Sequence, residues 1–307
     1  MTVCIAALCT WPGGNQMIVG ASDRMLSAPD IKFEPPQMKI FQFTEDVVAL
    51  VAGDPSDQIM LCDKVQRVMQ ERKLKNKAID TVEGIAKLFG EAFTAHRRER
   101  AENKYLKPLG LDVNEFIARQ QDMRSDFVAG LVNDLQRHSL DCETIIAGKD
   151  STGYHIFSIA EPGDVFCADA IAFASIGTGK HHADSQFMMS RHTKQTLFHT
   201  ALLDIYSAKK RAEVAPTVGW ATDLFYIGTD GFRLMPDDIA NSIHQIWIRL
   251  ESRNDESQMQ AIREAQDCVA GHLAAQDKKK NEESSMPEQV DPVQNPVQRT
   301  RRKPKGS

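Results

Sequence analysis

The sequence lacks the features that define several large classes of protein. No stretch approaches the roughly 18 consecutive apolar residues of a membrane-spanning helix, and the start has no basic segment of the kind that opens a secretory signal. The net charge of -5 over 307 residues gives no overall attraction to nucleic acid or to an anionic membrane. We therefore expect a cytoplasmic protein that does not enter membranes and does not act on nucleic acid.

The cysteines and histidines lack the spacing of a metal or redox site. The six cysteines are far apart, with no CxxC pair and no Cys/His pattern of the kind that binds zinc. The histidines between residues 181 and 199 share no ligand spacing with an acidic or cysteine partner. We expect reduced cysteines that serve in packing, and no metal. The cysteines are Cys4, Cys9, Cys62, Cys142, Cys167 and Cys268.

A glycine-rich run at 177–180 has part of the pattern of a phosphate loop. The Walker pattern also requires an earlier glycine, and a serine or threonine after the lysine, whereas His181 follows Lys180 here. Nucleotide binding is therefore not expected at this run.

What the chain does contain is a threonine directly after Met1, at the head of an apolar strand. As an N-terminal residue, Thr2 would have a nucleophilic hydroxyl and an α-amine, and the ordinary pKa of such an amine, about 7.7 to 8.0, suits it to accept a proton. Because Met1 directly precedes Thr2, we expect a methionine aminopeptidase to complete activation without a propeptide. The alternative is an ordinary strand residue, as in many cytosolic proteins that begin Met-Thr.

The N-terminal part predicts a series of strands and then a helix. Residues 11–15 form a hairpin-like break before a strand at 17–23, and residues 37–43 alternate in polarity. Residues 47–53 are continuously apolar, which is typical of a strand buried on both faces. Asp54 then has the position of a helix N-cap.

In this order the residues resemble the proteasome β-subunits and their bacterial relatives among the N-terminal-nucleophile hydrolases, including stand-alone Anbu-like proteins. That family has an N-terminal threonine strand, an Ala-x-Asp motif, a lysine that opens the third strand and an Ala-Gly turn before the first helix. The corresponding positions here are Thr2, Ala21-Ser22-Asp23, Lys39 and Ala52-Gly53.

The resemblance implies a role for each of these residues. Thr2 would be the nucleophile, and the Lys39 ammonium would favour alkoxide-like charge on its hydroxyl. Asp23 would keep the lysine charged and oriented, and the Gly53 N–H would hold the oxyanion and contact substrate. Ser27 would contact the substrate backbone. The alternatives are a strand-edge salt bridge for the Asp and Lys, and a plain turn for the glycine.

A second region of resemblance begins at Asp141. Residues 143–148 and 154–159 predict two paired strands, and 173–179 resembles a Gly-Ser-Gly turn of the family. The resemblance implies that Thr178 places a hydroxyl near the α-amine. The family's Asp before a Ser-Gly pair is missing, and Glu213 and Thr217 are its substitutes in the predicted amine network.

The rest of the chain predicts helices and a tail. We expect a helical insertion at about 95–125, and residues 112–115 have the spacing of a capping box that starts a helix. We also expect two C-terminal helices, at about 236–251 and 256–275, and one domain over residues 1–277. Residues 278–307 form a polar, basic segment without apolar periodicity, and we expect it to be disordered.

The resemblance implies an α+β fold of four αββα layers, with two antiparallel sheets between helix pairs. It implies a threonine-dependent hydrolase of amide bonds in peptides or proteins, which works through an acyl-enzyme, needs no cofactor and forms a homo-oligomer. It leaves open whether an ATP-dependent unfoldase is a partner. Two alternatives remain: a non-catalytic structural subunit of a proteasome-like assembly, and an amidase that acts on a small molecule.

Overall fold

The structure, a computed structural model, describes residues 2–28, 31–34 and 39–284, with the backbone alone at 27, 28, 31, 32 and 277–284. The chain divides into two compact units, Met1–Ile248 and Arg249–Ser307. All the sheets and the predicted site residues belong to the first unit.

The described residues form strands and helices with the following bounds. The strands are β1 (Cys4–Thr10), β2 (Gln16–Asp23), β3 (Leu26–Ala28), β4 (Ile31–Phe33), β5 (Ile40–Gln42), β6 (Val47–Ala52), β7 (Glu143–Asp150), β8 (Gly153–Ala160), β9 (Asp164–Cys167), β10 (Phe173–Ile176), β11 (Thr222–Gly228) and β12 (Gly231–Leu234). The helices are α1 (Pro55–Leu74), α2 (Val82–Tyr105), α3 (Val113–Arg119), α4 (Ser125–Arg137), α5 (Lys180–Ser190), α6 (Phe198–Ala212) and α7 (Asp237–Ser284).

Two five-stranded antiparallel sheets form the centre of the first unit. The first has the order β10-β1-β2-β11-β12 and the second has the order β5-β6-β7-β8-β9. β3 and β4 form a separate hairpin. The fold is therefore a mixed α+β fold with two antiparallel sheets, as the sequence predicts at this level.

β1 has apolar residues on both faces, and the two faces pack into different cores. Val3, Ile5 and Ala7 pack with residues of α5 and α6, including Phe187 and Ile205. Side chains alternate across a strand, so the intervening residues face the other way. Those residues are Cys4, Ala6 and Leu8, which pack against the second sheet.

β6 has the same property in the second sheet. Val48 and Leu50 pack in the core between the two sheets, whereas Ala49 and Val51 pack with residues of α1 and α2. Every residue of β6 is buried. The prediction of a strand buried on both faces is confirmed. Asp54 is also the N-cap of α1, where its side chain accepts from the N–H groups of Ser56 and Asp57.

The region of the predicted insertion is helical and has a small core of its own. α2 continues to Tyr105, and α3 and α4 follow it. Leu106, Leu111, Phe116 and Leu131 form a buried cluster. The capping box predicted at 112–115 starts α3 and has both of its reciprocal hydrogen bonds.

The C-terminal region differs from the two helices predicted within 236–275. α7 is one continuous helix from Asp237 to Ser284. The expected break at 252–255 consists of Ser, Arg, Asn and Asp, which lower helix propensity by at most about 0.7 kcal/mol each and include no proline or glycine. The helix also continues beyond residue 278, where the tail was expected to begin, and residues 285–307 lie outside the described residues.

Across residues 2–28, 31–34 and 39–284, no helix is both long enough and apolar enough to cross a membrane.

Candidate active site around Thr2

The antiparallel pairing of β1 and β2 places Thr2 beside the end of β2. Cys4 pairs with Ser22 in the sheet, and one step further the Asp23 N–H donates to the Val3 carbonyl over 3.2 Å. Thr2 is buried, with 1% of its surface exposed. Its hydroxyl donates to Oδ1 of Asp23. The sheet register thus brings the predicted nucleophile and the predicted acid into direct contact.

Asp23 is the centre of a hydrogen-bond network. Its Oδ1 also accepts from the Val3 N–H and from Nζ of Lys39, both over 3.0 Å. Its Oδ2 accepts from the N–H groups of Met25 over 3.1 Å and Gly219 over 2.8 Å. A fully buried carboxylate requires such donors, because it has lost its hydration.

Lys39 is held against the threonine hydroxyl. Its Nζ donates to Thr2 Oγ1 over 2.5 Å, to Asp23 Oδ1 and to the Met25 carbonyl, also over 2.5 Å. An ammonium has three donors, so these bonds use all of them and fix its direction. The side chain is 8% exposed. The structure therefore brings Thr2, Asp23 and Lys39 together, as predicted.

The turn at 177–179 packs against the backbone of Thr2. Gly177 has φ +88, and a Cβ on it would lie 2.1 Å from the Thr2 carbonyl oxygen. The Gly179 N–H donates to that oxygen over 3.4 Å, and Thr178 Oγ1 lies 3.5 Å from it. Thr178 Oγ1 also lies 2.7 Å from Thr217 Oγ1. Thr178 is therefore adjacent to the Thr2 backbone, and Thr217 contacts Thr178.

Gly53 lies on the wall of a cavity beside this turn. The cavity has a volume of about 440 Å³, and its lining includes Gly53, Gly177, Thr178 and Lys180. Gly53 has φ +124, and a Cβ on it would lie 2.1 Å from the Asp141 carbonyl oxygen, so the position requires glycine. The cavity is thus lined both by Gly53, the predicted oxyanion donor, and by the turn at 177–179 that contacts Thr2.

Glu213 does not have the position predicted for it. Its carboxylate pairs with Lys209, and with Nζ of Lys210 over 2.9 Å. Lys209 Nζ in turn donates to the carbonyls of Gly219 and Trp220, each over 2.8 Å. Because the Gly219 N–H bonds to Asp23, Glu213 is connected to Asp23 through Lys209 and this turn.

Sequence reasoning missed Lys209 and the turn at 219–221. Burial lowers the pKa of Lys209 to about 8, against the opposing effect of Glu213. Glu34 also binds the turn, accepting from the N–H of Trp220 over 2.5 Å. One signal in the sequence indicates that Lys209 is buried. It lies four residues after Ile205 and three before Ala212, which is the spacing of the buried face of α6. The contacts of the turn join residues far apart in the chain and leave no local pattern.

Cys4 lies next to the site but does not compete with Thr2 as a nucleophile. Burial raises the pKa of its thiol to about 12, so it remains protonated. Its Sγ donates to the Val51 carbonyl over 3.5 Å. All six cysteines are free, but Cys167 and Cys268 are exposed and do not serve in packing. For these two the expectation was wrong.

Ser27 lies in β3, where its backbone pairs with Lys32. Its side chain is outside the described residues, so its predicted contact with substrate has no structural counterpart here. Among the side chains that the structure does describe, no group of three or more His, Cys, Asp or Glu residues could hold a metal ion.

A second threonine hydroxyl has histidine and aspartate neighbours. Thr152 Oγ1 lies 2.7 Å from His155 Nε2, and His155 Nδ1 lies 2.7 Å from Asp169 Oδ2. Thr152 is exposed at the turn between β7 and β8, and its hydroxyl donates to Asp150 over 2.5 Å. Asp150 also accepts from the Val82 N–H over 2.8 Å, so this set ties a hairpin to the start of α2.

No protein-family model matches the chain, and the curated proteins include no match to it.

Proposed function

We propose that the chain is a threonine-dependent hydrolase of amide bonds, with Thr2 as its nucleophile after removal of Met1. The observation that carries the proposal is the contact of 2.5 Å between Lys39 Nζ and Thr2 Oγ1, within a buried network centred on Asp23. An ammonium at that distance stabilises negative charge on the attacking oxygen. The cost of forming that charge is therefore lowered where it develops.

Removal of Met1 supplies the base. While Met1 is attached, the nitrogen of Thr2 belongs to a peptide bond and does not accept a proton. A free α-amine ordinarily has a pKa of about 7.7 to 8.0 and accepts the hydroxyl proton near neutral pH. The Thr178 hydroxyl, 3.5 Å from the Thr2 carbonyl oxygen, and the Thr217 hydroxyl bonded to it would orient a water near that amine.

The reaction has two steps. In the first, Thr2 Oγ1 attacks the substrate carbonyl while the amine takes its proton, and the Gly53 N–H stabilises the oxyanion. The tetrahedral intermediate collapses, the proton passes to the leaving amine, and an ester with Thr2 remains. In the second, the α-amine activates a water that hydrolyses the ester and restores the hydroxyl. The cavity of about 440 Å³ beside Gly53 and Thr178 accommodates the substrate chain.

The packing supports the four-layer αββα arrangement of the proteasome-like hydrolases as part of this proposal. One buried core joins α5 and α6 to the first sheet, a second joins the two sheets, and a third joins the second sheet to α1 and α2. We propose peptides or proteins as substrates and a homo-oligomer as the working form, both by the resemblance to that family.

The test uses the full chain and three threonine variants. Intact mass first establishes whether Met1 is removed, and a peptide library read by mass spectrometry then measures cleavage. Thr2→Ala is expected to lose roughly 10³-fold or more of the activity, because it removes the nucleophile. Thr2→Ser, which keeps a hydroxyl, retains part of it. Thr152→Ala is the matched control and is expected to cleave as the wild type does.

Three results would change the conclusion. Cleavage by Thr2→Ala at the wild-type rate would remove Thr2 from the mechanism. A chain that retains Met1 and cleaves nothing would favour the non-catalytic structural subunit. Hydrolysis of simple amides, without cleavage of any library peptide, would keep the nucleophile and replace the substrate class with a small molecule.

A further inference from the structure

A second cavity lies at the opposite end of the first sheet from Thr2. β1 begins just after Thr2 and ends just before Trp11, so the two residues are about 30 Å apart along the strand. The cavity has a volume of about 380 Å³. It is lined by Trp11, Asn15, Met17, Phe198, Tyr226, Gly228, Thr229 and Asp230. None of these residues takes part in the proposed hydrolysis.

Three aromatic rings form the walls. The ring centroids of Trp11 and Phe198 are 5.1 Å apart with an angle of 51° between the planes. Those of Phe198 and Tyr226 are 6.2 Å apart at 81°. Phe198 is buried, whereas Trp11 is 42% exposed. The planes of the paired rings are steeply inclined, so the aromatic lining is not a single flat stack.

The turn that carries Trp11 is fixed by its backbone. The Trp11 N–H donates to the Asn15 carbonyl over 2.8 Å, and the Gly14 N–H donates to the Trp11 carbonyl over 2.9 Å. Gly13 and Gly14 have φ values of +124 and +97, which other residues rarely adopt. The indole is therefore held over Phe198 by the turn as well as by ring contact.

The polar side of the cavity carries a carboxylate that is available to a ligand. Lys149 Nζ donates to the carbonyl groups of the lining residues Gly228 and Thr229, over 3.4 and 3.0 Å. Among the described side chains, the salt-bridge partner of Asp230 is Arg233, at 3.5 Å between Oδ2 and Nε. Both side chains are more than half exposed, at 55% and 57%, so water screens this pair strongly. Asn15 adds an amide that can accept or donate.

We propose that this cavity binds an alkylammonium group, seated among the faces of Trp11, Phe198 and Tyr226 and paired with Asp230. The negative faces of aromatic rings attract a cation, and the attraction increases when the cation is desolvated, as it is among several rings. A lysine side chain and a small quaternary ammonium molecule share this chemistry. The proposal is independent of the hydrolase activity.

The test uses three probes of the same shape and different charge, titrated into the full chain and followed by ligand-observed NMR. Choline is the cation, 3,3-dimethylbutan-1-ol is its neutral isostere and 3,3-dimethylbutanoate is the anion. Choline is expected to bind about ten-fold more tightly than the alcohol, in line with cation–π attraction. Equal binding of the alcohol, tighter binding of the anion, or no binding of any cation would overturn the proposal.

Two variants locate the binding. Asp230→Asn is expected to weaken choline several-fold and leave the alcohol unchanged, because only the cation uses the charge. Tyr226→Leu removes a ring face but retains apolar volume, and it is expected to weaken choline more than the alcohol. Asp134→Asn, an exposed carboxylate on α4, is the matched control and changes neither. Unchanged choline binding in Asp230→Asn would contradict the assignment, even if Tyr226→Leu failed to fold.

Two further probes separate the sources of the group. Nα-acetyl-lysine methylamide and its Nε-trimethylated form represent a protein side chain, while choline represents a free small molecule. Tighter binding of a lysine probe than of choline would assign the cavity to a side chain. The reverse order would assign it to a small quaternary ammonium ligand.

Discussion

Thr2 and Thr152 both place a hydroxyl among basic and acidic side chains, yet the two sets differ in what surrounds them. Thr2, Asp23 and Lys39 are buried, and five donors converge on the Asp23 carboxylate. Thr152 is exposed, and its hydroxyl already donates to Asp150. The turn at 177–179 that contacts Thr2 also lines a cavity, whereas the second set ties a hairpin to a helix. The two sets therefore differ in burial and in the convergence of donors, and on these grounds we propose catalysis for Thr2 and not for Thr152.

The largest expected difference between the two sets is in the effect of their basic residues on activity. Lys39→Met is expected to lower kcat about 10² to 10³-fold, because it removes the donor that stabilises charge on Thr2. His155→Gln is expected to leave kcat unchanged. Peptide cleavage assays measure both.

Removal of Lys39 also leaves the negative charge of the buried Asp23 carboxylate without its salt-bridge partner, which can destabilise the fold. The double variant Asp23→Asn/Lys39→Met removes both charges, and thermal melting shows whether it is folded. A folded double variant with wild-type kcat would contradict the role of the pair.

The glycines beside the two sets allow a comparison of stability. Gly177→Ala is expected to lower the free energy of unfolding by about 3 kcal/mol, because φ is +88 and the new Cβ would lie 2.1 Å from the Thr2 carbonyl oxygen. Gly153→Ala has φ +138, but its nearest atom would be His155 Nε2 at 3.9 Å, so about 1 kcal/mol is expected. Urea unfolding measures both, and equal losses would show that packing against Thr2 is loose.

A further expected effect concerns pH and is confined to the range between pH 8 and 10.5. In the folded protein, burial lowers the pKa of Lys209 to about 8 from its ordinary value of 10.5. Between these values the unfolded chain keeps a proton that the folded protein has lost, so the free energy of unfolding rises with pH. Relative to Lys209→Met, the wild type is expected to gain about 1 to 3 kcal/mol across that window. Glu213, Lys210 and Asp23 all influence this titration.

Asp150, in the set around Thr152, serves as the control, because the fold stabilises its charged form whereas burial disfavours the charged form of Lys209. Burial raises its pKa, but hydrogen bonds from Thr152 and Val82 outweigh this and hold the pKa below its ordinary value of 3.8. Its stabilising effect is therefore present above pH 3.8 and is lost as the pH falls through the folded pKa. Urea unfolding of Asp150→Asn across acid pH measures this. For Lys209, the prediction would fail if the free energy of unfolding changed equally in the wild type and in Lys209→Met between pH 8 and 10.5. That result would contradict the burial of the Lys209 ammonium.

Local features of the fold were predictable from the sequence. The N-cap at Asp54, the capping box at 112–115 and the buried strand at 47–52 each depend on residues close together in the chain. The continuity of α7 through 252–255 was not predicted. Polar residues there lower helix propensity, but they do not end a helix that continues on both sides.

The candidate site was predictable only in part, for the same reason. Thr2, Asp23 and Lys39 were identified through a family resemblance, and the sheet register brings them together. The roles of Gly219 and Lys209 depend on contacts between β2 and a turn almost 200 residues later in the chain, since the Gly219 N–H reaches Asp23 with a separation of 196. No local pattern contains such a contact. Glu213 was therefore assigned to the α-amine, whereas it pairs with Lys209.

β1 contributes to two of the buried cores and has a neighbouring strand on each side. Thr2 lies two residues before β1, and the bond from the Asp23 N–H to the Val3 carbonyl extends the pairing with β2 to the residue next to it. In native-state hydrogen exchange, such a strand opens only with the cooperative unit as a whole. The register that aligns the start of β1 with the end of β2 is thus as persistent as the strand, and a mutation that weakens the two cores is expected to populate the unfolded state before it shifts that register.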